Sequence, residues 1–210
     1  MNARELLASS LGHRNDEPNK KLADAIIESE NMQWITELVA ILDEKKGDAR
    51  SDSIKVLYEV GLRGRSDLIA PHWAKFIEII GSKDNRLVWG AMIALDCIAL
   101  EKPAELFKNL ETINSAVLKG STITIDHGVA VLAKLASVEK LWEPVMPLLA
   151  EHLLGCPAKQ FPMYIERSKV AFSKNTKDDF LGIIEARFAH LDKESQRKRV
   201  EKCRTMLQKI

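Results

Sequence analysis

Apolar residues recur along this chain at intervals of three and four, the spacing that gathers them on one face of an α-helix. The pattern is clearest at Asp84–Leu100, where Leu87, Val88, Ala91, Ala94, Leu95 and Ile98 make a single stripe behind a turn. The alanines in the stripe allow a neighbouring helix to approach closely. One helix cannot bury such a stripe alone, and the segments on either side repeat the same device, so a stack of helix pairs is expected. Period-two alternation is confined to Thr122–Ile125, too short to define a strand. The expected class is all-α.

Helix stops then divide the chain. Ala3–Leu11 ends at Gly12, and Pro18, tolerated in a first turn, opens a helix through Ile26 and Ile27. Residues 1–30 therefore read as an amino-terminal cap. Asn31 is placed to cap Met32–Glu44, which Lys45-Lys46-Gly47 closes. Asp48 is expected to cap a helix carrying Ile54, Leu57, Val60 and Leu62, and Ser66 to start a segment to Gly81 that Pro71 should kink or break. Pro103 opens a segment through Leu106, Phe107, Leu110, Ile113 and Val117 to Gly120. Ser121 or Thr122 caps the next helix, with Val129, Val131, Leu132 and Leu135. Two prolines, Pro144 and Pro147, predict a bend in Val138–Leu154, and Pro157 and Pro162 frame a looser segment. Thr176 with Asp179 forms a near capping box before Phe180–Leu191, and a last helix covers Glu194–Leu207.

Superposing the inner helices makes the repetition explicit. With Leu57, Leu95 and Leu132 equivalent, Val60, Ile98 and Leu135 fall into register, and so do the small residues Ser53, Ala91 and Gly128. The period is 38 and then 37 residues, between the 34 of tetratricopeptide units and the roughly 40 to 47 of HEAT and armadillo units. On these residues the chain resembles HEAT-repeat proteins. Asp84 and Ala94-Leu95 match the inner-helix pattern of that family, Leu87-Val88 stands where Val-Arg is usual, and the first repeat keeps Asp48 and Arg50. The resemblance implies one domain over residues 1–210, a right-handed α-α superhelix of about five helix pairs behind the cap. Its repeats are clearest over 31–155 and degenerate over 156–210.

Composition narrows the function classes only slightly. The 210 residues carry 31 lysines and arginines against 30 acids, so net charge gives the whole chain no pull towards nucleic acid or a lipid surface. No apolar run reaches a membrane span and the first residues lack a signal-peptide layout, so a cytoplasmic protein is expected. Cys97, Cys156 and Cys203 are odd in number and far apart, and read as reduced thiols. Asp126-His127 heads the third inner helix, but adjacent helical residues point about 100° apart and do not face one substrate. The five histidines are scattered without i, i+4 pairing, and no phosphate loop or nucleophile elbow occurs. The sequence thus offers no catalytic constellation, metal site or cofactor.

What remains is recognition. In a HEAT-like array the second helix of each pair lines the concave face, which nominates Tyr58, Trp89, Met92, Asp126 and Val129 as partner-binding residues, with Trp89 as the leading anchor. A non-catalytic scaffold for a protein or peptide is the expected function. The alternative is a DNA-binding or alkylation-repair glycosylase-like HEAT protein. Its support is the basic last segment, where Arg197, Lys198, Arg199, Lys202 and Arg204 lead seven cations against Glu194 and Glu201.

Overall fold

Helix α6 (Asn85–Ile98) shows why a single stripe underestimates its burial. Gly90, Met92 and Ile93 are buried together with Leu87, Val88, Ala91, Ala94, Leu95 and Ile98. A helix apolar nearly all round is enclosed by its neighbours. The computed structural model describes residues 2–210 as helices joined by turns and loops, with no strand among the described residues. Contacts divide the chain into two compact units, residues 1–127 and 128–210.

The first unit opens with a 3-10 turn at Ala3–Leu6, followed by α1 (Glu17–Ser29), α2 (Met32–Ile41), α3 (Asp48–Leu62), α4 (Ser66–Ile69) and α5 (Trp73–Ile80). After α6 come α7 (Pro103–Lys108), α8 (Leu110–Lys119) and the start of α9 (Thr122–Ala136), within which the division falls. Helix α6 packs on α3, α4 and α5, while α3 also receives α1 and α2. Two glycines leave no room for a side chain between α3 and α6. A Cβ on Gly90 would lie 2.8 Å from Ile54 Cγ1, and one on Gly61 would lie 2.8 Å from Cys97 Cβ. Ser53 and Ala91, the small residues expected at this crossing, are also fully buried.

Capping follows the sequence in three places. Asn31 accepts from the Trp34 amide at 3.1 Å, Asp84 from Arg86 and Leu87 at 3.0 and 3.4 Å, and Ser121 from Thr124 at 3.4 Å. Elsewhere it departs. Gly47, at φ 129°, occupies the cap of α3, so Asp48 is the first helical residue and meets the helix dipole instead. The opening segment is a 3-10 turn followed by turns up to Gly12, which has φ 71°. Pro71 breaks its segment into α4, a 3-10 turn and α5, as expected. The segment after Pro103 breaks at Asn109, whose side chain donates to the Glu105 carbonyl at 2.9 Å and so competes with the helical ladder.

The second unit holds α10 (Trp142–Gly155), α11 (Phe161–Arg167), a 3-10 turn at Ser168–Ala171, α12 (Lys177–Phe188) and α13 (Glu194–Gln208). Aromatic rings are prominent in its core, with Phe161, Tyr164 and Phe180 among its largest buried side chains, whereas the first unit sets Phe76 among mainly aliphatic and small residues. Helices α11 and α12 both pack on α13. The expected capping box at Thr176 does not form. That hydroxyl donates to the Ala171 carbonyl at 2.6 Å and accepts from the Ser173 amide at 3.1 Å, closing the loop before α12. No described helix is long and apolar enough to cross a membrane.

Candidate binding groove

The amino-terminal turns of α3 and α6 lie side by side, and the segment from Ala8 to Asp16 folds beside them. A groove of about 710 Å³ opens between these elements, lined among others by Arg14, Asp48, Lys55, Tyr58, Arg86 and Trp89. Asp52 on α3 fixes the loop. It accepts from the Ser9 amide at 2.8 Å and from the Asn19 side chain at 2.7 Å, and Asn19 in turn accepts from the Ala8 amide at 2.9 Å. Both oxygens of this carboxylate are therefore committed to structure.

One turn further along α3, Lys55 pairs with Asp16 at 3.1 Å and with Glu59, and lies 4.9 Å from the centre of the Tyr58 ring. Burial pulls the Lys55 ammonium down, but hydrogen bonds to Glu59, Tyr58 and Asp16 outweigh it and the net shift is upward. Hydrogen bonds from Lys20 and Lys55 hold the Asp16 carboxyl below its ordinary value. Burial raises the Tyr58 phenol, which stays neutral. Arg14 and Arg86 differ from these groups, since neither guanidinium makes a hydrogen bond or ion pair with any described residue.

Two of the residues nominated from the sequence meet in this groove. Tyr58 and Trp89 contact each other with ring centroids 5.8 Å apart at 55°, a tilted aromatic pair. Tyr58 is 5% exposed and serves as backing, while Trp89 keeps part of its surface open. Met92 and Val129 correct the expectation, because both have no accessible surface and cannot touch a partner. Met92 lies in the buried run Gly90–Leu95 of α6, on which α3, α4 and α5 pack, and Val129 lies within the continuous buried run Gly128–Ala133 of α9. Asp126 is partly buried and does not line the groove. Its neighbour His127 pairs across to α6, with Nδ1 2.7 Å from Asp96 Oδ2.

The basic terminal helix spends most of its charge at home. Arg197 donates to the Leu191 carbonyl at 2.8 Å, Arg199 holds Glu166 with two hydrogen bonds, one of them at 2.9 Å, and Lys198 and Arg204 pair with Glu194 and Glu201. Lys202 lies exposed between them. No group of three or more His, Cys, Asp or Glu side chains suited to a metal ion occurs among the described residues. Arg14 and Arg86, the unpaired cations of the groove, carry no sequence signal of their own; only the loop anchored by Asp52 reveals the site of the first.

No family model matches the chain, and no curated protein matches it. Solved structures do. The chain is similar to two engineered proteins whose crystal structures come from the Northeast Structural Genomics Consortium. One is 16% identical with a TM-score of 0.64, covering 100% of both chains. The other is 15% identical with a TM-score of 0.65, covering 100% of this chain and 98% of the other. Likeness at that identity defines the class, an all-helical protein of shared fold, and leaves function to the groove.

Proposed function

We propose that this chain is a non-catalytic binding module, a HEAT-like array of about five helix pairs behind an amino-terminal cap, that takes a protein or peptide segment in the groove at Tyr58 and Trp89. The observation that carries the reading is the aromatic pair itself. A rigid ring backed by a second ring and left open on one side gives a partner contact area at little conformational cost. The groove's other polar groups support a binding role over a reaction. Asp52 ties down a loop and Lys55 is neutralised by Asp16 and Glu59, so neither is placed as a nucleophile or base. The nucleic-acid alternative draws less support, since the cations of α13 that suggested it are mostly engaged with carbonyls and carboxylates.

The test is selection from a displayed peptide library on the immobilised protein, followed by solution binding of the recovered sequences to the parent chain and to Trp89→Ala. Recovered peptides should weaken at least about tenfold on that substitution, with the helical circular dichroism unchanged. A library that yields nothing, or peptides indifferent to Trp89→Ala, overturns the reading.

A further inference from the structure

We infer that the segment taken by this groove is acidic, with carboxylates received by Arg14 and Arg86 and an apolar side chain seated against Trp89. The inference rests on the binding-module reading and adds the chemistry of the partner. It follows from sorting the groove's charges by whether they are already used. Asp52 accepts two hydrogen bonds from the amino-terminal segment, Asp16 pairs with Lys20 and Lys55, and Lys55 is shared with Glu59. Once these are set aside, the groove still offers two guanidiniums, Arg14 and Arg86, and one carboxylate, Asp48, with no partner among the described residues.

A guanidinium is always charged, and its planar fork matches a carboxylate with two parallel hydrogen bonds. Two of them beside an aromatic wall therefore ask for an anionic ligand with an apolar element. A groove of about 710 Å³ admits a few residues of extended chain. Two polyanions could meet that description, and the fixed carboxylates decide between them. A nucleic-acid strand carries a phosphate at every nucleotide and would bring some of them against the unpaired Asp48. A peptide carries its acids only where its sequence puts them and can set a backbone amide or a hydroxyl opposite Asp48. The balance of the groove thus selects spaced carboxylates over a continuous chain of phosphates.

The experiment uses the full chain and fluorescence polarisation of labelled, end-capped nonapeptides. One carries four glutamates around a central leucine, the second has glutamine at those four positions, and a ten-nucleotide thymidine strand is the competitor. The glutamate peptide should bind about tenfold or more tighter than its glutamine counterpart at low salt, and lose most of that advantage at roughly 0.5 M salt, where surface charges are screened. Arg14→Glu and Arg86→Glu should each abolish the preference, with unchanged circular dichroism, while Lys198→Glu on α13 leaves it intact. Equal binding of the two peptides, no binding of either, or a preference that survives both arginine substitutions overturns the inference. So does a thymidine strand that binds tighter than the glutamate peptide and displaces it. Should displayed peptides sensitive to Trp89→Ala be recovered while acidic ones show no advantage, the module stands and only its acidic preference falls.

Discussion

The two units hold their helices together by different means. In the first, charged side chains tie helix to helix: Asp16 reaches Lys55 at 3.1 Å, Asp24 reaches Arg63 at 2.9 Å, and Glu59 stands between Lys55 and Arg63. In the second, Arg199 on α13 also pairs with Glu166 on α11, but two other arginines tie side chain to backbone. Arg187 donates to the carbonyls of Leu154 and Cys156 at 2.9 and 2.5 Å and covers the Phe161 ring, and Arg197 donates to Leu191. The difference follows from helix regularity. Helices α1 and α3 run unbroken beside each other, so residues spaced by four on one meet residues spaced by four on the other. Pro157 interrupts the chain between α10 and α11, Pro162 sits in the first turn of α11, and each helix end leaves carbonyls that need donors. Arginine supplies them. Helix pairing is easy to read where rows of side chains meet and hard to read where single arginines repair chain ends.

The sharpest way to break the contrast is to attack the helix crossing of the first unit. Gly90→Leu forces a side chain into space held by Ile54, and should destabilise that unit by about 3 kcal/mol. Hydrogen exchange read by mass spectrometry should show lost protection in α3 and α6. Unchanged exchange there would mean the crossing yields readily. The matching attack on the second unit is Arg187→Met, which keeps bulk over Phe161 but removes two carbonyl partners, an expected loss of about 2 kcal/mol. Its signature is faster exchange at the end of α10. A melting temperature equal to the parent's would show that water replaces the guanidinium without loss.

A smaller effect is expected where the first unit relies on ion pairs. Arg63→Ala removes a contact to the exposed Asp24 and one to the mostly covered Glu59, which keeps Lys55 as a partner, so the loss should stay near 1 kcal/mol and shrink as salt is raised. A loss matching that of Gly90→Leu would place the strength of this unit in its charges and not in its crossing.

How far all this was legible in the sequence depends on the range of the forces involved. The helices, their caps at Asn31, Asp84 and Ser121, and the break at Pro71 are local matters of propensity and hydrogen bonding within a few residues, and they read directly. Tyr58 and Trp89 were legible as residues off the apolar stripe. Met92 was misplaced by the same logic, because one stripe per helix presumes one buried face and α6 has neighbours all round. Gly61 and Gly90, where a Cβ would clash across the crossing, were not singled out, although Gly90 adjoins Ala91, which was. Arg14 was beyond reach altogether. Its loop is set by Asp52, 43 residues from Ser9, and no local pattern encodes that hydrogen bond.

The least effect tests whether charge contributes to the second unit at all. Arg199 on α13 hydrogen-bonds Glu166 on α11, and this bond holds the Glu166 carboxyl below its ordinary value. A depressed carboxyl binds fewer protons folded than unfolded, so its stabilisation is present above the unfolded value, about 4.3, and is lost as pH falls through the lower folded one. Both side chains are substantially open to solvent, which limits the pair to about 0.5 kcal/mol. Urea midpoints of the parent chain and Arg199→Ala should therefore differ slightly at pH 7 and converge near pH 3, with the parent moving towards the variant. A gap that persists unchanged at low pH would mean that Arg199 acts through its aliphatic stem on the α11–α13 contact, and the second unit would then owe its cohesion to packing and carbonyl capture alone.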